Sequence, residues 1–385
     1  MKIVLPDYAV KCLDIIEANG FEAWAVGGCV RDALLGLNGG DVDVASSASP
    51  EDIKSIFTKV YDTGIKHGTV TVVIDGNPIE VTRFRNDGNY TDSRHPDKVT
   101  PVLSIEEDVA RRDFTVNAMA YNPKRGLIDL YSGTDDLKSR IIKCVGDPQK
   151  RFHEDALRIM RAFRFASKLD FSIEENTLAA AVSMSERLSN VSSERICKEL
   201  YLTLCGQNPN IIKILIQTGA LSRFGITSVN GNLGILRSVP NNEGSVFATL
   251  AYLCDADAEN MCTALKTSKK VREESVIYQK ELNSPLPETR FEIKKRLRIT
   301  NGLYKNCLLL RGIVLGEDVS DCQEMLSEIL KNREAFEINM LDVTGKDIAA
   351  SGVSGKKIGD TLERLLELVM IDPELNTREK LLSLI

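Results

Sequence analysis

The spacing of apolar and polar positions changes character part-way along the chain. Up to about residue 135, helical and extended patterns alternate. Pro6 to Asn19 carries apolar residues at helical spacing and is closed by Gly20, and Glu22 to Val26 follows as an apolar strand. Asp41 to Ala45, Gly68 to Ile74 and Ile79 to Phe84 read as further strands, the last two joined by a turn at Asp75-Gly76-Asn77-Pro78. A small mixed sheet with helices beside it is the expected result. From Asp136 onward the strand signals fade, and segments such as Glu154 to Leu169 and Glu194 to Cys205 place apolar residues three and four apart. The pattern therefore predicts an α+β chain, a mixed-sheet head followed by an all-helical remainder. Turn residues interrupt the periodicity at Pro240 to Gly244 and Asn283 to Pro287, which are the predicted linkers.

Composition narrows the class without naming a function. The 385 residues are 43% apolar, enough for several packed units and too many for a disordered chain. No stretch approaches the roughly 20 apolar residues of a membrane span, and Met1 to Asp7 lacks a signal-peptide layout, so the expected location is the cytosol. The nine cysteines are scattered without a C-x-x-C pair and only three histidines accompany them, which predicts buried thiols rather than zinc ligands or a disulfide framework. A net charge of −6 argues against indiscriminate coating of nucleic acid but says little about a local groove. The basic runs Lys266 to Arg272 and Lys294 to Arg298, taken singly, read as solvated helix faces ahead of phosphate contacts.

Candidate chemistry begins where Trp24 to Val26 runs into Gly27-Gly28 and then a helix carrying Arg31. Without Cβ atoms the backbone can approach phosphate oxygens, and the helix dipole and Arg31 both favour negative charge. Such a junction suits a triphosphate, though a tight strand-to-helix turn explains two glycines equally well. The segment Gly39 to Val44 then sets Asp41 and Asp43 two residues apart on an expected strand, projecting from one face. Paired charges there call for a cation, and two divalent ions held by them could activate a hydroxyl and stabilise a leaving pyrophosphate. Glu80 on the Ile79 to Phe84 strand could reach the same metal site if that strand lies beside the Asp41 strand, and would otherwise be an ordinary surface residue.

Two more stretches bear on the nucleotide. Glu106 to Asn117 reads as a charged helix in which Asp113 and Asn117 share a face; taken alone it suits a set of intrahelical salt bridges, whereas beside the other motifs Arg112 would hold phosphate while Asp113 and Asn117 would meet ribose hydroxyls. Phe152 to Ala166 reads as one helix with Asp155, Arg158, Arg161 and Arg164 recurring every three residues, and three arginines beside one acid exceed what a surface ladder needs. An acid acceptor beside an arginine donor complements the exocyclic amine and ring nitrogen of cytosine or adenine. Uracil and guanine present the reverse pattern and would leave polar groups unpaired, at about 1 to 3 kcal/mol each. Asp155 with Arg158 would thus accept CTP and ATP and reject UTP and GTP.

Gly27-Gly28-Cys29-Val30-Arg31-Asp32 with Asp41 and Asp43, Arg111-Arg112-Asp113-Phe114-Thr115-Val116-Asn117, and Glu154-Asp155-Ala156-Leu157-Arg158 together resemble the bacterial CCA-adding tRNA nucleotidyltransferases, in the class shared with bacterial poly(A) polymerases. The resemblance extends to Gly64 to Thr71, Leu341 to Asp347 and Ile358 to Asp360, and so covers most of the chain. It implies a polymerase-β-like nucleotidyltransferase head over residues 1–137, a base-selecting helical neck over 138–205, a helical body over 206–282 and a helical tail that binds tRNA over 283–385. It implies magnesium at Asp41 and Asp43, and contacts to the incoming nucleotide from Gly28, Arg31, Arg112, Asp155, Arg158, Arg161 and Arg164. The expected partners are tRNA, CTP and ATP, with no membrane and no obligate protein partner. Asn86 to Lys98 is similar to a mobile loop that CC-only members lack, so addition of A is expected. No His-Asp pair accompanies His67, His95 or His153, so the phosphohydrolase activity of some relatives is not expected. Two alternatives stay open, namely an enzyme limited to A addition or poly(A) synthesis, and a catalytically silent RNA-binding protein of the same fold; the intact Asp41 and Asp43 argue against the second.

Overall fold

A computed structural model describes residues 3–37, 40–65, 68–87, 99–102 and 104–385. Gly39, Lys66, His67 and the 88–98 part of the polar loop, with His95, lie outside the described residues. In chain order the head's strands are β1 (Ala23–Val26), β2 (Asp43–Ser46), β3 (Val60–Gly64), β4 (Thr69–Ile74), β5 (Asn77–Arg83), β6 (Arg85–Asp87), β7 (Val99–Pro101), β8 (Ala120–Asn122) and β9 (Gly126–Ile128). Strands β6 and β7 pair with each other. The rest form one sheet in the order β3-β4-β5-β2-β1-β8-β9, mixed because β2 runs parallel to β5 while the other neighbours are antiparallel.

Local sequence accounts for much of this. Helix α1 (Asp7–Ala18) buries Ala9, Cys12, Leu13 and Ile16, the stripe its spacing predicts. Helix α2 (Gly28–Leu34) follows β1 directly, and α3 (Pro50–Ile56) starts on a capping box between Ser49 and Asp52 with Pro50 at its first position. The β4–β5 connection is a two-residue turn with positive φ at both Asp75 (50°) and Gly76 (81°), whose twist suits a hairpin. β1 is buried along its whole length and shares a core with Ala45, Phe84, Ile105, Val109, Ala118, Ala120 and Val145.

Two expected helices are interrupted. Helix α4 (Ile105–Ala110) stops before Arg112, because the chain then pairs with the segment around Cys144: Thr115 donates to the Lys143 carbonyl, Val145 to that of Asp113, and Phe114 bridges Cys144. After α5 (Gly133–Lys138), helix α6 (Pro148–Glu154) breaks at Asp155, which is extended, and α7 (Leu157–Leu169) begins anew. A short parallel pair, β10 (Ile141–Ile142) with β11 (Ser172–Ile173), is strand structure that the fading pattern beyond Asp136 did not predict. Helices α8 (Glu175–Ser183), α9 (Ser193–Leu204) and α10 (Lys213–Gln217) follow.

The chain divides into two compact units, Met1–Gly234 with Ala264–Lys266, and Ile235–Thr263 with Thr267–Ile385. The second is helical, running from α11 (Glu243–Leu253), α12 (Ala258–Ala264) and α13 (Lys269–Leu282) to α14 (Arg290–Ile299), α15 (Tyr304–Leu315), α16 (Ser320–Lys331), α17 (Gly345–Ala350), α18 (Lys357–Ile371) and α19 (Arg378–Ser383). Its core gathers Leu341, Ile348, Leu365, Leu366, Val369 and Leu381. The run Lys294 to Arg298 is not the solvated face its composition suggests. Lys294 is buried, donating to the Met370 carbonyl at 2.9 Å and pairing with Glu334 at 2.7 Å, while Arg296 pairs with Glu281 and Arg298 with Glu363. Among the described residues no helix is long and apolar enough to cross a membrane.

Candidate active site

The turn from β1 into α2 depends on Gly27. Its φ of 71° lies in the region that favours glycine, and a Cβ there would stand 2.9 Å from Arg112 Nη1. Arg31, on the first turns of α2, is buried. Its Nη1 donates to Asn117 Oδ1 at 2.6 Å, and its Nε and Nη2 meet Asp32 Oδ1 at 2.8 and 2.7 Å. Asn117 Nδ2 in turn donates to Asp113 Oδ1 at 3.2 Å, and Asp113 Oδ2 accepts from Arg161 Nε at 2.7 Å. Burial alone would push the Asp113 carboxyl up, but the charge of Arg161, with hydrogen bonds from Asn117 and Arg161 and the charge of Arg158, holds it down at about 2. The structure thus joins Arg31, Asn117, Asp113 and Arg161 in one line across three separate chain segments, although Asp113 and Asn117 do not share a continuous helix.

The carboxylates meet on the next strands. Parallel pairing sets Asp43 directly beside Glu80. The strand starts at Asp43 rather than Asp41, yet alternation persists ahead of it: Asp41 and Asp43 are exposed, Val42 and Val44 buried. Desolvation first, then the charges of Glu80 and Asp41, raise the Asp43 carboxyl to about 6 against the opposing pull of Arg112. Among the described residues no three acidic, histidine or cysteine side chains are already drawn together as a metal cage. What the site holds is a cluster of negative charge made of hard oxygen donors, the donor chemistry that fits a divalent cation. Arg112 lies at its border, with Nη2 held 2.9 Å from Asp108 Oδ2; Asp108 is buried and also takes Arg111 at 2.6 Å.

The row on α7 is organised differently from its spacing. Each arginine has its own acid: Arg158 pairs with Glu154 at 2.5 Å, Arg161 with Asp113 at 2.6 Å and Arg164 with Glu199 at 2.7 Å. Asp155 makes an ion pair with none of them, although its charge acts on Arg161. Its Oδ1 accepts from the Leu157 backbone N–H, which starts α7, and its Oδ2 accepts from Arg195 on α9, each at 2.9 Å. Arg158 donates further to the carbonyls of Arg151 and Arg111, at 3.2 and 3.1 Å. Asp155 and Arg158 are therefore neighbours in chain but held by separate partners.

A family model described as the poly A polymerase head domain matches residues 23–143, and one described as a probable RNA and SrmB-binding site of polymerase A matches 170–224. The CCA-adding enzyme of Ligilactobacillus salivarius is 39% identical over 98% of this chain and 96% of its own, and that of Enterococcus faecalis 38% over 96% and 92%. The chain belongs to the family of CCA-adding enzymes. The crystal structure of the Bacillus stearothermophilus CCA-adding enzyme in complex with CTP superposes with a TM-score of 0.86 at 31% identity, covering 99% of this chain and 97% of that one. Membership carries with it nucleotidyltransferase activity and use of a divalent metal.

Several residues that shape this member's site were not singled out from its sequence. Asp32, Asp108, Glu154, Arg195 and Glu199 each hold a residue that was. Asp108 and Glu154 stand three or four positions from the arginines they bind, a spacing that signals an ion pair. Arg195 lies 40 positions along the chain from Asp155 and Glu199 a similar way from Arg164, so no local spacing marks them.

Proposed function

We propose that this CCA-adding enzyme extends the 3′ end of tRNA with C, C and A, taking CTP and ATP as substrates and magnesium as its metal. The observation that carries the reading is the register of β2 against β5, which sets Asp43 and Glu80 side by side next to the Gly27-Gly28 turn and Arg112. Asp41 and Asp43 would hold the metal, with Glu80 adding charge beside them. Magnesium, when bound, supplies activation of the 3′-hydroxyl and neutralisation of triphosphate charge in a two-metal displacement. The protein's own groups do the placing. Gly28 lets the backbone approach phosphate, while Arg31, Arg112, Arg161 and Arg164 supply positive charge that the resident carboxylates otherwise balance.

Asp113 and Asn117 already bond Arg161 and Arg31, which favours holding those arginines over direct contact with ribose. Base selection by Asp155 and Arg158 requires each to share or exchange a present partner, Arg195 for the first and Glu154 for the second. We assign residues 1–137 to the head, 138–205 to the neck, 206–282 to the body and 283–385 to the tail that grips tRNA, in an enzyme that works in the cytoplasm. The test is extension of tRNA transcripts ending before CCA, after C and after CC, each with a single nucleoside triphosphate. CTP should extend the first two and ATP the third. Extension of the third alone would mean A addition only.

A further inference from the structure

Phe165 on α7 stands at the convergence of three guanidinium groups. The centres of Arg164, Arg31 and Arg161 lie 4.2, 5.2 and 5.2 Å from its ring centroid, and Phe114 meets it edge-on at 5.8 Å with the ring planes 76° apart. Phe165 is 6% exposed. Three like charges so close repel one another, and Asp32, Asp113 and Glu199 each balance one of them. The balance is least complete at Arg164. Its Nε lies 2.7 Å from Glu199 Oε2 at an angle unsuited to a hydrogen bond, and both atoms are buried without a hydrogen-bond partner. A neutral ring with a negative face is the one group here that can attract all three cations without neutralising them. A carboxylate in its place would compete with an incoming triphosphate.

We infer that Phe165 is a positioning residue for the nucleotide, an aromatic platform whose electron-rich ring holds Arg31, Arg161 and Arg164 together without adding a further negative charge to compete with phosphate. The inference rests on the assignment of those arginines to the nucleotide site. It differs from a packing role in depending on the electrons of the ring, not its volume. Replacing a ring's density without changing its shape therefore separates the two.

The experiment replaces Phe165 in the full-length enzyme with mono-, di- and trifluorophenylalanine and with cyclohexylalanine, and measures KM and kcat for CTP and ATP on tRNA transcripts. KM for both nucleotides should rise stepwise with fluorination and reach about tenfold for cyclohexylalanine, with kcat changed little, as expected for loss of binding shared by ground and transition states. If cyclohexylalanine fails to fold, the near-isosteric fluorinated series decides. Arg161→Gln and Arg164→Gln run in parallel. If they raise KM while the fluorinated series stays flat, the role of the ring is refuted and the nucleotide site stands. If they leave KM unchanged, the assignment of the arginines is wrong and the inference falls with it.

Discussion

Asp43 is partly desolvated and sits beside the like charges of Glu80 and Asp41, and its behaviour follows from both. With its carboxyl raised to about 6 in the fold against about 3.9 when unfolded, the native state binds the proton more tightly between those values. Its contribution to stability therefore falls as pH rises from about 4 to about 6 and is flat above. Asp43→Asn removes the desolvation cost of the charged form and the repulsion from Glu80 and Asp41, so in chelator at pH 7.5 the variant should melt higher than the parent by the equivalent of about 1 kcal/mol, solvent screening at this exposed residue having reduced the effect. A lower melting temperature would mean that the carboxylate is satisfied without metal. Asp113 is the opposite case. Held at about 2, it adds stability above about pH 4 that is lost as pH falls toward 2. Asp113→Ala should cost about 3 kcal/mol in urea unfolding at neutral pH by leaving Arg161 unpaired, and the gap from the parent should narrow at pH 3. Such partners were hard to read from the sequence, since Asp113 meets Arg161 from 48 positions away. Metal candidates were easier, because both aspartates and their alternation with Val42 and Val44 lie within one short stretch.

Elements were legible where a local period set them and illegible where distant contacts did. The stripe of α1, the apolar β1 and the turn between β4 and β5 follow from nearby residues alone. The end of α4 and the break before α7 do not. One is imposed by pairing with the Lys143 to Val145 segment, the other by Asp155 turning its carboxylate to the α7 N-terminus and to Arg195. This gives Asp155 two separable roles. Asp155→Ala should destabilise the fold by about 1 kcal/mol through loss of the hydrogen bond that starts α7, read from thermal melting. It should also raise UTP incorporation relative to CTP in single-nucleotide extension. Loss of stability with unchanged selectivity would leave only the structural role. At the other junction Gly27→Ala meets both an unfavourable φ and the Arg112 guanidinium, so nucleotide affinity should fall at least about tenfold.

Across the whole molecule, every residue assigned to chemistry lies in the unit that spans Met1–Gly234, while the buried Lys294 network belongs to the other. Lys294→Met should therefore lower the melting temperature by leaving Glu334 with less compensation, without changing the affinity for CTP measured on the free enzyme. Altered CTP affinity would argue that the second unit reaches the nucleotide. The central claim is narrower, that tRNA extension runs through the carboxylates on β2. Its most direct measurement is incorporation of CTP into a tRNA transcript lacking CCA, by the parent enzyme and by Asp43→Asn with magnesium present and folding verified by thermal melting. The account predicts extension by the parent and a loss of at least about a thousandfold in the variant. A folded Asp43→Asn protein that extends the transcript at a comparable rate would contradict it.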